Sequence, residues 1–244
     1  VMAEPRPPPP DNDRTVLDPN PLSASQVPRS ESAAAVDTTS HALPLGTRLH
    51  EFEVTSLLGV GGFGIVYVAF DHSLRREVAV KEYMPSSLAS RKADAITVVI
   101  RSAHDAPTFD IGMRSFINEA QLLAQFDHPA LLKVFRFWEG NGTAYMAMPW
   151  YRGQTLHKLL AARDAAPDEA WILALLQPIL GALEVMHAAQ CFHRDIAPDN
   201  IMVQPDGRPV LLDLGAARRV ISGMTQALTV ILKSGYAPIE QYAE

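Results

Sequence analysis

The sequence predicts an α+β fold built as two lobes, the first rich in β-strands and the second mainly α-helical. Before Met148, short runs of β-branched and aromatic residues alternate with glycine turns, and one amphipathic helix interrupts them. After Met148 the apolar residues follow a helical period. With 244 residues, the chain is long enough for two lobes with a real core.

The elements of the first lobe are separated by clear turn signals. A glycine-rich turn at 59–64 separates two strands, and a Gly-Asn-Gly turn at 140–142 separates two more. Helical spacing places Phe116, Ala120 and Leu123 on one face of the helix. The remaining predictions are strands over 77–81, 96–100, 131–138 and 143–148, and a helix over 109–126.

The second lobe follows a short connector at 149–153. A short helix is predicted over 155–162, and a long helix begins at Pro167-Asp168-Glu169, because proline and acidic residues favour the first turn of a helix. A turn at Pro205-Asp206-Gly207 then indicates a small hairpin.

Composition excludes several classes of protein. The net charge of −6 argues against nucleic acid or an anionic membrane as partner. Cys191 is the single cysteine, which excludes a disulfide framework and a thiolate metal site and fits the cytoplasm. The most apolar segment, 170–189, is interrupted by Gln177, Pro178 and Glu184, so we interpret it as a buried helix and predict no membrane segment within the chain.

The N-terminal segment has the composition of a tail. Residues 1–44 hold nine of the nineteen prolines together with many small and polar residues, and such a segment buries too little apolar surface to fold. We predict that 1–44 are disordered. The PxxP spacings at 5–8 and 7–10 fit an aromatic groove, but a solvated tail is the favoured interpretation.

The glycine-rich turn is the first motif with chemical meaning. Glycines at 59, 61, 62 and 64 let backbone N–H groups approach phosphate oxygens without a Cβ in the way. A dinucleotide site would need a helix directly after the glycines, whereas Ile65-Val66-Tyr67-Val68 indicates a strand, so a Rossmann site is excluded. Alone, the motif fits a simple hairpin turn equally well.

A lysine and a glutamate form the second motif. Lys81 follows the apolar run 78–80, at a distance from Gly64 that suits a phosphate contact. Glu119 lies within the amphipathic pattern of the following helix, where a carboxylate would hold the ammonium in place. A surface acid at a helix edge is the alternative that these residues alone leave open.

The third motif is His193-Arg194-Asp195-Ile196-Ala197-Pro198-Asp199-Asn200, followed by Asp213-Leu214-Gly215. We predict that Asp195 accepts a hydroxyl proton and that Asn200 and Asp213 are ligands for Mg²⁺, the parts that phosphoryl transfer needs. For His193 we expect a buried packing residue that also makes hydrogen bonds.

In this order, the motifs resemble those of a eukaryotic-like protein kinase of the bacterial Ser/Thr type. The similarity covers about residue 46 to residue 244, and residues 81–85, 193–200 and 235–242 resemble bacterial members in particular. It implies a bilobal, kinase-like α+β fold with a tail over 1–44, an N-lobe over 45–148, a hinge over 149–153 and a partial, mainly α C-lobe over 154–244.

The resemblance also implies a site for ATP and Mg²⁺, with Mn²⁺ as a substitute. Lys81 is expected to contact the α- and β-phosphates and to pair with Glu119. Leu123, His193 and Leu214 are expected to stack in a column. The other implied nucleotide contacts are the glycine loop (Gly59, Val60, Gly61, Gly62, Phe63, Gly64), the adenine-facing Val66, Ala79 and Met202, the gatekeeper Met148, and Trp150 and Tyr151 of the hinge at 149–151.

The sequence departs from the family pattern at three places. Ala197 stands where such kinases carry a lysine near the γ-phosphate, a loss worth about 10²–10³ in rate that Lys233 could offset. Leu214 replaces a phenylalanine, which is a mild apolar change. The segment 86–110 is interpreted as an insertion. It could position the Glu119 helix or dock a partner, but we favour a passive surface excursion.

The expected function is an ATP-dependent Ser/Thr protein kinase that acts on a protein hydroxyl. Because of Ala197 and the chain end at Glu244, the alternatives are a nucleotide-binding switch or scaffold of the pseudokinase type and an inactive fragment of a longer kinase. Partners would dock at the insertion or the tail. The activation segment 213–240 holds the candidate phosphosites Ser222, Thr225, Thr229 and Ser234, with Arg194 as their expected partner.

Overall fold

The computed structural model of the chain describes residues 41–213, 218–219 and 236. All of the described residues belong to one compact unit, which spans 37–244. The strands are β1 (Arg48–Leu49), β2 (Phe52–Val60), β3 (Gly64–Asp71), β4 (Arg76–Tyr83), β5 (Ala89–Arg91), β6 (Val98–Ile100), β7 (Arg136–Gly140), β8 (Thr143–Pro149), β9 (Gln154–Thr155), β10 (Cys191–Phe192), β11 (Ile201–Val203), β12 (Pro209–Leu211) and β13 (Arg218–Arg219). The helices of the described residues are α1 (Ala106–Leu123), α2 (Leu156–Ala161) and α3 (Glu169–Ala188), with a 3₁₀ turn at Pro198–Asn200.

A six-stranded antiparallel sheet forms the first lobe, in the order β1-β2-β3-β4-β8-β7. β2 and β3 flank the glycine-rich turn, and β7 and β8 flank the turn at Asn141 and Gly142. These two residues have φ values of 54° and 75°, which is the geometry of a tight two-residue hairpin turn. The predicted order of strands around both turns is therefore present in the structure.

The end of the predicted tail packs against this sheet. Leu43 is buried, and its backbone N–H donates to the Tyr67 hydroxyl at 3.0 Å. The described residues 41–44 are thus attached to the first lobe, because Leu43 brings an apolar side chain to the sheet. The rest of the predicted disordered tail lies outside the described residues.

The helix of the first lobe is displaced from its predicted bounds. α1 covers Ala106–Leu123, whereas the pattern predicted 109–126, and a proline lies in its first turn, where the missing N–H costs nothing. Phe116, Glu119, Ala120 and Leu123 are buried on one face, as the spacing predicts. The last residues of the segment predicted as an insertion, 106–110, therefore belong to α1.

Two predicted strands are shorter in the structure. β7 lacks the beginning of the strand predicted over 131–138, because the backbone of 131–132 pairs with Leu211 instead. β6 lacks residues 96–97 of its predicted span, because their amides donate to the Asp94 carboxylate and form a turn.

The inserted segment carries its own two-stranded sheet, in which β5 pairs with β6. Ala89 and Val98 are buried, so the hairpin contributes to the core. The Val98 amide also donates to the Asn141 carbonyl at 2.8 Å, which attaches the hairpin to the β7–β8 turn.

The second lobe is built on α2, α3 and two small sheets, β12-β11-β9 and β10-β13. Asp168 accepts a hydrogen bond from the Trp171 amide at 2.8 Å and so caps α3 where the sequence predicts its start. β11 pairs with both β9 and β12. The β11–β12 hairpin is the one predicted from the turn at 205–207.

By length and mean hydropathy (1.5), α3 is the single helix of the described residues that could cross a membrane. The sequence predicted a buried helix here, whereas only 22% of the apolar window is buried. One such helix is weak evidence, since the core helix of a soluble protein passes the same test. Leu175, Ile179, Ala182 and Met186 of α3 are buried against the second lobe.

A buried ion pair joins the insertion to the outer face of the sheet. The Arg91 guanidinium contacts the Glu82 carboxylate at 2.5 Å, and the two side chains are 4% and 0% exposed. The same carboxylate oxygen accepts from the Tyr67 hydroxyl at 2.8 Å. Arg91 also donates to the carbonyls of His41 and Ile96, so one side chain connects the insertion, the N-terminal residues and β4.

Replacing Arg91 with Met would leave the Glu82 carboxylate buried without its counter-charge. We expect Arg91→Met to lower the free energy of unfolding by about 3–5 kcal/mol, measured by urea denaturation. Adding Glu82→Leu should restore most of the stability, because an apolar pair no longer buries a charge. The matched control is Arg136→Met, since the Arg136–Glu51 pair is solvent-exposed and is expected to be worth at most about 1 kcal/mol. Equal losses in the two single variants would contradict this account.

Candidate active site

The glycine-rich turn lies at the exposed end of the first sheet. The Gly61 amide donates to the Gly64 carbonyl at 2.8 Å and closes the turn, and the space that a Cβ would take at Gly59 or Gly62 is open. At Gly64 a Cβ would collide with the Glu82 carbonyl, so this close approach of β3 and β4 requires glycine. Val60 and Phe63 of the same turn are exposed.

The inner face of the sheet carries most of the predicted adenine contacts. Cross-strand pairing places Val66, Lys81 and Met146 in one row and Ala79 beside Met148 in the next. Trp150 and Tyr151 follow directly after β8 and are half-buried. Met202, on β11 of the second lobe, is also half-buried and pairs with Thr155.

Lys81 and Glu119 are brought together by β4 and α1. The Lys81 ammonium donates to both Glu119 carboxylate oxygens, at 3.1 and 3.3 Å, and lies 3.8 Å from an Asp213 oxygen. The side chains of Lys81, Glu119 and Asp213 are 22%, 4% and 48% exposed. One cation therefore sits between a buried carboxylate and a carboxylate that faces solvent.

Burial and charge act in opposite directions on this cluster. Burial raises the pKa of Glu119 to about 7, against the opposing charge of Lys81. Burial alone would lower the pKa of Lys81, but the negative charges of Glu119 and Asp213 outweigh it and leave that pKa above its ordinary value. Lys81 is thus held as a cation.

The segment 193–200 forms a loop that turns Asn200 back onto Asp195. The Asn200 side-chain amide donates to the Asp195 carboxylate at 2.6 Å and to its carbonyl at 2.9 Å. The Leu212 amide donates to the Asn200 carbonyl at 2.8 Å. Because Leu212 directly precedes Asp213, this bond fixes the distance between the loop and the third predicted acidic residue.

His193 is buried, as predicted. Its Nδ1 accepts from the Asp195 amide at 3.4 Å, and burial lowers the pKa of the imidazole. A neutral imidazole that supports the loop backbone agrees with a packing role. Leu123 is likewise buried, whereas Leu214, the third member of the predicted column, lies outside the described residues.

Two non-glycine residues of this region have left-handed backbone conformations. Arg194 has φ of 65° and Asp213 has φ of 58°. Such conformations cost about 1–3 kcal/mol each and persist where the surroundings over-determine them, most often at functional sites. Arg194 directly precedes Asp195, and Asp213 is itself one of the predicted metal ligands.

Ala197 is buried and precedes the 3₁₀ turn, where the Asn200 amide donates to its carbonyl. The site as described therefore has no cation at this position. Lys233 and the candidate phosphosites Ser222, Thr225, Thr229 and Ser234 lie outside the described residues.

Two neighbours of Lys81 were not recognised as site residues from the sequence. Met146 is its cross-strand partner, and the alternation of side chains along β8 could have revealed it from the position of Met148. The Phe116 ring centre lies 5.6 Å from the ammonium, a contact that depends on the packing of α1 and left no signal in the sequence.

The chain is similar to known proteins along most of its length. The family described as protein kinase domain matches residues 52–241. The chain is 28% identical over 179 residues to serine/threonine-protein kinase PknD of Chlamydia caviae, covering 69% of this chain and 17% of that protein. It is 31% identical over 179 residues to serine/threonine-protein kinase PknL of Mycobacterium tuberculosis, covering 73% and 40%. The chain therefore spans less than half the length of these curated relatives.

A solved structure is also similar to this chain. The structure "PpkA-294 apo form" is 50% identical in sequence and superposes with a TM-score of 0.74. The match covers 83% of this chain and 72% of that one. The architecture described above is thus shared with a known structure over most of its length.

The pKa of Glu119 predicts how stability depends on pH. In the folded state the Glu119 carboxyl keeps its proton up to about pH 7, whereas in the unfolded chain it loses the proton near its ordinary pKa of 4.5. The stabilising contribution is therefore complete below pH 4.5 and is lost as the pH rises through about 7. We expect the difference in unfolding free energy between the native chain and Glu119→Gln to shift against the native chain over this interval in urea titrations. A constant difference between pH 5 and pH 8 would contradict the raised pKa.

Proposed function

This chain belongs to the protein kinase family, and on that basis we propose that it transfers the γ-phosphoryl group of ATP to a serine or threonine hydroxyl of a protein. The observation that carries the proposal is the position of Lys81, whose ammonium lies 3.1 Å from Glu119 and 3.8 Å from Asp213. This places a fixed cation beside an exposed carboxylate at the inner face of the sheet, which suits a polyphosphate with a bound metal ion.

The nucleotide would lie against the inner face of the first sheet. Its phosphates would approach the amides of the 59–64 turn, where the space at Gly59 and Gly62 is open, and the ammonium of Lys81. The adenine would lie between Val66 and Ala79 on one side and Met202 on the other, next to Met148. The backbone of Trp150 and Tyr151 would supply its polar contacts.

The donors at Asn200 and Asp213 fit a hard divalent cation. Asn200 uses its amide nitrogen to bind Asp195, which leaves its side-chain oxygen as a ligand, and the Asp213 carboxylate is half-exposed. Mg²⁺ commonly takes one or two such protein oxygens and completes its shell with phosphates and water. When bound, the ion would neutralise charge that develops on the phosphates.

Asp195 is the residue that we propose accepts the substrate proton. One of its carboxylate oxygens is fixed by Asn200, and the other is the acceptor for the hydroxyl hydrogen. The substrate oxygen forms a bond to the γ-phosphorus as the bond from that phosphorus to the bridging oxygen of ADP breaks. The hydroxyl proton passes to Asp195, and ADP leaves with the bridging oxygen.

The same proposal places this chemistry in the cytoplasm, where ATP is abundant and where a chain with Cys191 as its one cysteine is in keeping with reducing conditions. Ala197 supplies no positive charge near the γ-phosphate, so we expect a rate below that of a complete site. A nucleotide-binding switch is the outcome that a test of transfer must distinguish.

Phosphate transfer from radiolabelled ATP tests the proposal. We expect Lys81→Met and Asp195→Asn each to lower kcat by at least about 10²-fold, because Lys81 supplies positive charge to the phosphates and Asp195 accepts the hydroxyl proton. The matched controls are Arg208→Met and Asp206→Asn, which alter the two partners of an exposed ion pair. Binding of Mg·ATP by the native protein without any transfer would favour the switch, and transfer that survives Asp195→Asn would refute the role of Asp195.

The metal ligands can be tested separately. We expect Asp213→Asn to raise the Mg²⁺ concentration needed for half-maximal transfer by about tenfold or more, because the cation loses its charged ligand. Asp206→Asn should leave that concentration unchanged. An unaltered Mg²⁺ requirement in Asp213→Asn, measured by titration at fixed ATP, would exclude Asp213 as a ligand.

A further inference from the structure

Tyr83 attaches α1 to the strand that carries Lys81. It lies two residues after Lys81 on β4, so both side chains point to the same face of the sheet. The Tyr83 hydroxyl donates to the Phe109 carbonyl of α1 at 3.2 Å. Its ring lies 5.1 Å from the Phe109 ring and 6.1 Å from the Phe116 ring, centre to centre, and the residue is buried.

Gly112 of α1 lies directly against this tyrosine. A Cβ at Gly112 would overlap the Tyr83 hydroxyl and would lie 2.9 Å from Cζ and 3.3 Å from Cε2. Glycine inside a helix costs about 1 kcal/mol relative to alanine, so a helical glycine normally has a packing reason. Here the reason is the close approach of the helix backbone to the Tyr83 hydroxyl.

The strand beneath this contact cannot easily move away. The Thr143 hydroxyl donates to the Tyr83 carbonyl, and the Met84 amide donates to the Phe63 carbonyl at 3.2 Å. Glu82, between Lys81 and Tyr83, is fixed on the opposite face by Arg91. A larger side chain at position 112 would meet the Tyr83 ring, which is itself packed against the Phe109 and Phe116 rings, so we expect it to displace α1 and not β4.

We propose that Tyr83 and Gly112 are positioning residues that set the distance between α1 and β4 and so keep the Glu119 carboxylate in contact with the Lys81 ammonium. Glu119 follows Gly112 by two helical turns on the same face, so a shift of the helix at Gly112 is carried directly to the carboxylate. The consequence for phosphoryl transfer rests on the function proposed above, whereas the consequence for the ion pair does not.

The first experiment is a crystal structure of Gly112→Ala without nucleotide. We expect the Lys81–Glu119 separation to increase from 3.1 Å to beyond ion-pair distance, although alanine favours the helix. Asn118→Ala is the matched control, because it raises helix propensity at an exposed position of α1 and should leave the ion pair intact. An unchanged separation in Gly112→Ala would overturn the proposal, whether or not the protein transfers phosphate.

The second experiment measures kinetics in the same variants. We expect kcat of Gly112→Ala to fall by about 10²-fold, with a smaller change in KM for ATP, because a misplacement of about 1 Å has this effect on a positioned group. Tyr83→Phe removes the hydroxyl and should recover part of the loss in the Gly112→Ala background, since the nearest ring atom is then 2.9 Å away. No recovery would overturn the assignment of the loss to this contact.

Tyr83→Phe alone covers the case in which Gly112→Ala does not fold. It deletes one hydrogen bond to α1 and keeps the ring. We expect kcat to fall about fivefold, which corresponds to the net free energy of one hydrogen bond. A native kcat together with a native Lys81–Glu119 separation in Tyr83→Phe would overturn the proposal. If the native protein transfers no phosphate at all, the proposed function fails and the crystal structures still decide the positioning role.

Discussion

The ion pair between Lys81 and Glu119 is the interaction on which the rest of the site depends. It joins β4 to α1 through two residues that lie 38 positions apart in the chain. The pair forms only if α1 packs on the sheet at the correct distance. The Glu119 carboxylate is buried. Separating the pair would therefore be strongly unfavourable, because it would leave a charge without a partner in the core. The position of Asp213 beside the same ammonium then connects the second lobe to this pair.

Side chains on both faces of β4 hold the strand in the position that this ion pair requires. On the inner face, Lys81 and Tyr83 contact α1. On the outer face, Glu82 binds the inserted segment through Arg91. Three consecutive side chains thereby fix the strand, the helix and the insertion relative to one another. The insertion, which the sequence suggested was a passive excursion, contributes buried residues and a buried charge to the lobe.

The sequence predicted those parts of the site that are encoded by short spacings. The glycine turn, the lysine strand and the loop from Asp195 to Asn200 each consist of residues close together in the chain, so local patterns are sufficient. Glu119 was found because its helix has a clear apolar period. The Arg91–Glu82 pair and the contact of Gly112 were not found, because each depends on the distance between two elements after packing. The helix start was displaced because the residues of α1 before Phe109 bring no large apolar side chain to the core and so add nothing to the apolar period.

The buried carboxylate of Glu82 has a consequence for how this chain can change. In the described part of the chain, its only counter-charge is Arg91, which belongs to the insertion. We therefore expect residues 86–105 and the residue at position 82 to change together. A shortened relative that lacks the insertion would be expected to carry an apolar side chain at position 82, and a relative that keeps the glutamate would need another cation at this place. Length and charge are therefore coupled here, and a designer who trims the first lobe must alter both at once.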